Sequence, residues 1–269
     1  MKTSVVSKEY QNLQKEIAGI QEKWKNRLKP EWITTKLDKA SLESGIPVLA
    51  LTSFNVNIPL FLQCIEEIIE LLEKYNGNLS DQLSSLKSGL NDVVAEYWVE
   101  EALSLNTLYF SGFAHENHLD EWLPQFIAET AIRPYLQLTA EMVQDQVQYG
   151  KPGVGCPVCG EPVRLAQLEE DGKKILHCPR CLCHWNASRL TCSHCGNSNH
   201  EKIQFLTIDE DPASQIQVCE ECKGYTKIID TRQYITKPIA SLLDLSTIHL
   251  DFIAQENGYM AIGEKKESN

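Results

Sequence analysis

Along its first half the chain repeats apolar residues at steps of three and four. Tyr10, Leu13, Ile17, Ile20 and Trp24 fall on one helical face while Lys, Glu and Gln fill the other, which predicts an amphipathic helix. Pro30 ends it. A less regular segment with Gly45, Pro47 and Pro59 follows, and then Leu60 to Tyr75 reads as an apolar helix. Asn57 serves as its cap, Pro59 sits in its first turn and Asn76-Gly77 stops it. A further helix is expected from Ser80 to Leu103, burying Leu83, Leu86, Leu90, Val93, Val94 and Tyr97, with Gly89 a tolerated weak point. Two more are expected over Leu119 to Thr130 and Ile132 to Gln148, with Pro124 and Pro134 near their starts.

Tyr149-Gly150-Lys151-Pro152-Gly153-Val154-Gly155 then breaks the periodicity. Beyond it the period drops to two. Arg164 to Leu168 and Lys174 to His177 flank the turn signal Asp171-Gly172 and predict one hairpin. Ile203 to Ile208 and Gln215 to Val218 predict a second, with a third strand over Tyr225 to Ile229. From Pro238 to about Glu256 a helical pattern returns, with Ile239, Leu242, Leu245, Ile248 and Phe252 on one side and Asn257-Gly258 as its stop. The tail Glu264 to Asn269 is charged and expected to fray. The pattern predicts an α+β chain: a helical domain over 1–148, a linker over 149–155, two ribbons over 156–190 and 191–235, and a C-terminal helix and tail over 236–269.

The ribbons carry the chemistry. Of ten cysteines, nine lie between 156 and 222, eight of them as four Cys-x-x-Cys pairs: Cys156/Cys159, Cys178/Cys181, Cys192/Cys195 and Cys219/Cys222. Two intervening residues let both sulfurs of a pair face one centre, and two such turns close a tetrahedral site for one ion. Eight thiolates imply two metal ions. The simplest connectivity pairs neighbours, giving one site from Cys156, Cys159, Cys178 and Cys181 and another from Cys192, Cys195, Cys219 and Cys222. A crossed arrangement would interleave the hairpins. Zinc and a single iron accept the same four thiolates, so the ligands leave the metal open. Gly160 and Gly196 directly follow their knuckles and Gly224 lies one residue further on from Cys222, positions where a positive φ turns N–H groups toward sulfur.

Charge narrows the class. The formal net charge of −12 argues against a phosphate-backbone partner. Met1 to Glu9 has no apolar core of signal-peptide length and no apolar run is long enough to span a bilayer, so a cytoplasmic protein without membrane insertion is expected. Thiols stay reduced there, which favours metal over disulfides.

Weaker candidates have plainer explanations. Cys183 is a ninth thiol beside the first site, either an inert buried side chain or a redox or spare-ligand thiol. His177, His184, His194 and His200 are read as surface residues or supports for the ligands, and His115 and His118 as exposed or capping. Glu66, Glu67, Glu70 and Glu73 form a solvated helix face. No phosphate loop, nucleophile elbow or His-Glu-x-x-His occurs, so no catalytic residue is assigned and an enzyme is not expected. Two other classes remain: a zinc-ribbon nucleic-acid binder, and an iron or thiol redox protein.

The runs Cys156-Pro157-Val158-Cys159-Gly160-Glu161-Pro162, Leu176-His177-Cys178-Pro179-Arg180-Cys181, Trp185, Arg189-Leu190-Thr191-Cys192-Ser193-His194-Cys195-Gly196 and Cys219 to Lys227 together resemble the FdhE family of formate dehydrogenase accessory proteins. Arg133-Pro134-Tyr135-Leu136, Leu245 to Asp251 and Glu256-Asn257-Gly258-Tyr259 add to the likeness. The resemblance implies a helical domain followed by a tandem rubredoxin-like or zinc-ribbon domain. It also implies a cytoplasmic maturation role and contact with the molybdenum- or tungsten-containing catalytic subunit of formate dehydrogenase. The eight paired cysteines would then hold metal, reported for the family as iron, as part of a grip on an unfinished partner. No family role carries over to Cys183.

Overall fold

A computed structural model describes residues 6–37, 39–148, 155–169, 171–208, 211–232 and 234–260. Most of the expected linker (149–154) and the charged tail (264–269) lie outside the described residues. In chain order the elements are α1 (Lys8–Lys25), β1 (Ile33–Thr35), α2 (Lys39–Ser44), β2 (Thr52–Phe54), α3 (Ile58–Tyr75), α4 (Ser80–Gly89), α5 (Asp92–Leu103), α6 (Thr107–Glu116) and α7 (Trp122–Val143). There follow β3 (Leu165–Leu168), β4 (Lys174–His177), β5 (His184–Ala187), β6 (Ile203–Thr207), β7 (Ser214–Cys219), β8 (Tyr225–Asp230), α8 (Ala240–Ser246) and α9 (Ile248–Glu256). The chain divides into two compact units, one of Lys8–Thr34 and Phe54–Leu138, the other of Met1–Ser7, Thr35–Ser53 and Thr139–Asn269.

The first unit is helical. In α1, Leu13, Ile17, Gln21 and Trp24 are buried, whereas Tyr10 is exposed. Asn57 caps α3 by accepting from the Leu60 N–H at 3.0 Å, as its place before Pro59 predicts. Glu67 leaves the expected solvated row, accepting from Trp24 Nε1 and Lys23 Nζ, both at 2.8 Å.

Three helical expectations are corrected. The single helix over 80–103 is two, because α4 ends at Gly89 and Asn91 starts α5 as a cap, accepting from the Val94 N–H at 3.1 Å. The restart turns Val93 and Tyr97 outward and buries Ala95, Trp98, Val99 and Ala102 instead. The two helices expected around residue 131 are one, α7, with Pro134 in its interior. Proline cannot donate to the carbonyl four residues back, that of Thr130. Buried Gln21 supplies the missing donor, its Nε2 reaching Thr130 O at 3.3 Å. The C-terminal helix is also two: the Thr247 hydroxyl donates to Leu243 O at 2.8 Å at the break. Ala240, Leu243, Leu250 and Ala254 are buried, and Ile239 and Phe252 are exposed.

The second unit holds one six-stranded sheet, ordered β5-β4-β3-β8-β7-β6. Two three-stranded ribbons, β3–β5 and β6–β8, meet where β3 pairs in parallel with β8, Leu165 opposite Lys227 and Leu168 opposite Asp230. The first ribbon thus has a third strand, β5, opposite β4, which mirrors β8 and completes the repeat. Strands alternate their faces, so Leu165, Ile216, Val218, Tyr225 and Ile229 share one side. There they pack with Ala240, Leu243, Leu250 and Ala254 of α8 and α9.

A charged cluster fastens those helices. Lys227 has no exposed surface, and its ammonium lies 2.7 Å from Asp244 Oδ1 and 2.8 Å from Asp251 Oδ2. It also donates to Asp244 O at 3.0 Å, and Tyr225 OH donates to Asp251 Oδ1 at 2.7 Å. Removing Lys227 leaves two largely buried carboxylates to the longer contacts of Arg164, 3.6 Å from Asp244 Oδ2 and 3.5 Å from Asp251 Oδ1. Lys227→Met is expected to lose about 3–5 kcal/mol of stability, read as a lower urea midpoint. A smaller loss, about 1 kcal/mol, is expected for Asn91→Ala through the missing cap.

Candidate metal centres

Four turns of one design build the two sites. In each, the first cysteine's carbonyl accepts from the N–H four residues on: Gly160 to Cys156 (2.8 Å), Leu182 to Cys178 (3.0 Å), Gly196 to Cys192 (3.0 Å) and Lys223 to Cys219 (2.8 Å). Its own N–H donates to the residue after that: to Glu161, Cys183, Asn197 and Gly224. The closing residue has positive φ each time, 76° at Gly160, 63° at Leu182, 76° at Gly196 and 56° at Lys223. Glycine takes this conformation freely, but Leu182 and Lys223 take it under the constraint of the turn.

Gly224 therefore does not have the torsional role its position suggested. Its reason is space. A Cβ there would lie 3.0 Å from His194 Cδ2 and 3.3 Å from Cys222 Sγ, and its N–H points at Cys222 Sγ at 3.4 Å.

The turns bring the sulfurs together in sequential groups, Cys156, Cys159, Cys178 and Cys181 in one and Cys192, Cys195, Cys219 and Cys222 in the other, each within 4.8 Å. Short approaches are 3.5 Å (Cys156–Cys181) and 3.6 Å (Cys159–Cys178) in the first, 3.7 Å (Cys192–Cys222) and 3.8 Å (Cys195–Cys219) in the second. A tetrahedral centre with metal–sulfur bonds of about 2.3 Å separates its sulfurs by about 3.8 Å, whereas a disulfide needs about 2.05 Å. The residues fit a metal ion. Both groups could hold one.

The electrostatics agree. Burial pushes the thiols of Cys156, Cys178 and Cys181 well up, while hydrogen bonds from Cys156, Cys178 and Cys181 hold Cys159 well down. Four thiolates cannot share a dry pocket without a cation, and a divalent ion bound there would supply the offsetting charge. In the second group, burial acts to raise Cys219, yet the N–H groups of Cys222 and Glu221 and the Asn197 amide bring it down to about 7.

The surroundings separate the sites. Around the first, the N–H groups of Val48 and Leu49 donate to Pro157 O (2.9 Å) and Val158 O (2.8 Å). Pro47 lies 3.3 Å from where a Gly160 Cβ would be. Gln144 Nε2 reaches His184 O at 2.6 Å. Nothing periodic in residues 45–51 signals this roof; the Pro47-Val48-Leu49 run is its trace. Around the second, Tyr259 OH donates to Glu220, and the Met260 N–H donates to Lys223 O at 2.9 Å.

The histidines fall outside both sulfur groups. His194 is buried and its Nε2–H donates to Tyr225 O at 2.6 Å. Burial lowers its pKa, so it stays neutral. His177, pushed down to about 4 by burial, stacks on His184 at 5.7 Å. Cys183 is fully buried. Cys64, also buried, is pushed up to about 12 by burial, the profile of an inert thiol. One contributor escaped sequence reasoning altogether: Lys174, 1% exposed, donates to Ser193 Oγ at 3.0 Å and to Gln217 Oε1.

Comparison with known proteins agrees with the motifs. Residues 190–266 match the family model described as FdhE, C-terminal domain. A protein named FdhE homolog from Aquifex aeolicus is 25% identical over 239 residues, 86% of this chain and 78% of the relative. An FdhE homolog from Pseudomonas aeruginosa is 32% identical over 113 residues, 39% of this chain and 36% of the relative. Protein FdhE of Escherichia coli is 31% identical over 118 residues, 42% of this chain and 37% of the relative. The crystal structure of the FdhE protein from Pseudomonas aeruginosa covers 93% of this chain and 85% of its own, with a TM-score of 0.58 and 19% identity. At that identity the likeness is one of fold.

The turn geometry yields a contrast. Gly224→Ala is expected to cost about 1–3 kcal/mol through the forced shift of His194 and Cys222, and to lower the affinity of the second sulfur group for added metal. Lys223→Gly relieves a left-handed residue and loses a surface pair, so it is expected to stay within about 1 kcal/mol of the parent. Thermal melts and zinc titration of the two variants read the difference.

Proposed function

We propose that this chain, supported by these matches as one of the FdhE family, is a cytoplasmic accessory protein in the maturation of a formate dehydrogenase. Its partner is the molybdenum- or tungsten-containing catalytic subunit. Its own part is binding, not catalysis. Cys156, Cys159, Cys178 and Cys181 hold one metal ion, and Cys192, Cys195, Cys219 and Cys222 hold a second, each iron or zinc.

One observation carries the reading: two complete sets of four thiols, at tetrahedral spacing, inside the segments that match FdhE proteins. The metal cross-links turns that have little apolar core of their own, and so stiffens a surface for another protein. The other residues act as its frame. Lys227 anchors α8 and α9 to the sheet, and Val48 and Leu49 hold the first knuckle from outside. Among the described residues no helix is long and apolar enough to cross a membrane, which is compatible with a cytoplasmic partner of that kind.

The test replaces Cys156 and Cys159 by Ser in the host. We expect the purified variant to lose about one metal equivalent and the cells to lose formate dehydrogenase activity, with the catalytic subunit no longer copurifying. Full activity in cells making that variant would overturn the metal's role, and absence of the subunit from gentle purifications of the parent would overturn the partner.

A further inference from the structure

We propose that the two sites differ in kind: the first is a permanent cross-link, and the second exchanges its ion with soluble sulfur- or nitrogen-donor ligands through Cys195 and Cys222. This goes beyond the accessory role and rests on the reading that both sites hold metal.

The two sets share ligand type, turn design and sulfur spacing, so an equal response to solvent would be the default. Their burial is unequal. In the first, Cys156, Cys178 and Cys181 have no exposed surface and Cys159 retains 7%. The segment 47–49 covers knuckle one with two backbone hydrogen bonds, and Gln144 ties down the end of knuckle two. In the second, Cys192 and Cys219 are buried at 3% and 1%, but Cys195 and Cys222 are exposed. These are the second cysteines of their knuckles, one from each, so the open side is shared by both turns.

Ligand exchange at a four-coordinate ion proceeds as an incoming donor bonds to the metal while a thiolate leaves. Such an exchange would change no oxidation state, one bond to the ion forming as one breaks, and would leave the released thiolate solvated by water. The step requires that the donor reach the ion and that the sulfur have somewhere wet to go. Cys195 and Cys222 meet both requirements, and no cysteine of the first site does. Exposed thiolates react and buried ones are inert for the same reason. The inner half of the second site is held from below: buried Lys174 donates to the hydroxyl of Ser193, the neighbour of Cys192, at 3.0 Å and to Gln217 Oε1.

The full chain, loaded with two equivalents of zinc, is mixed with excess 4-(2-pyridylazo)resorcinol and metal transfer is followed by absorbance. We expect two phases of one equivalent each, with rates at least about tenfold apart, equivalent to about 1.4 kcal/mol in barrier. N-ethylmaleimide added during the fast phase, followed by peptide mass spectrometry, is expected to label Cys195 and Cys222 before any of Cys156, Cys159, Cys178 and Cys181. This measurement needs no variant and does not depend on one folding. A single rate for both equivalents overturns the inference and leaves the metal reading intact, as does first labelling at the first site. A chain that binds fewer than two equivalents overturns both.

Discussion

A thiolate that leaves water needs a positive charge beside it, and the cysteine-rich unit is organised around that need. The chain meets it with a turn used four times, in which the carbonyl and the N–H of one cysteine are both occupied by the backbone that follows. Closing the turn fixes the direction of both sulfurs before any ion is considered. The hydrogen-bond pattern is so restrictive that leucine and lysine are held at positive φ in two of the turns. Two glycines and two larger residues share one backbone conformation, which shows the conformation to be a property of the turn.

The sheet shows a second level of the same economy of charge. Lys227 sits at the parallel seam between ribbons with two carboxylates and a carbonyl around it, and the Tyr225 hydroxyl completes the set from two residues away. Lys174 crosses from the first ribbon to the second on neutral partners, Ser193 and Gln217. One buried lysine therefore binds helices to the sheet on one face, and another binds ribbon to ribbon on the other. Lys227 does so beside the apolar cluster of Leu165, Tyr225, Leu243 and Leu250.

Legibility followed the range of the interaction that sets each feature. The start of α3 was readable because Asn57 and Pro59 act on their own neighbours, and the four knuckles because cysteine spacing is itself the signal. The grouping of the thiols followed from loop lengths. Pro134 misled because the donor that rescues Thr130 lies 109 residues away in sequence. The break at Leu90-Asn91 is local yet hidden, because apolar spacing continues across it while Asn91 resets the helical phase. Gly224 is legible as a required glycine, but its cause is the closeness of His194 and not torsion. The roof made by residues 47–49 has no period at all, and only the distant knuckle gives it a reason.

The parallel pairing of β3 with β8 also dictates an order of events. β3 precedes β8 in the chain, and its edge on that side has no partner until residues 225–230 have been made. Meanwhile β3, β4 and β5 can zip up as a local hairpin and strand, presenting an open edge. Closing a loop of that length is slow compared with forming the hairpins inside it, and an open edge invites other strands. The seam therefore makes the first ribbon's sheet edge dependent on the last strand of the second.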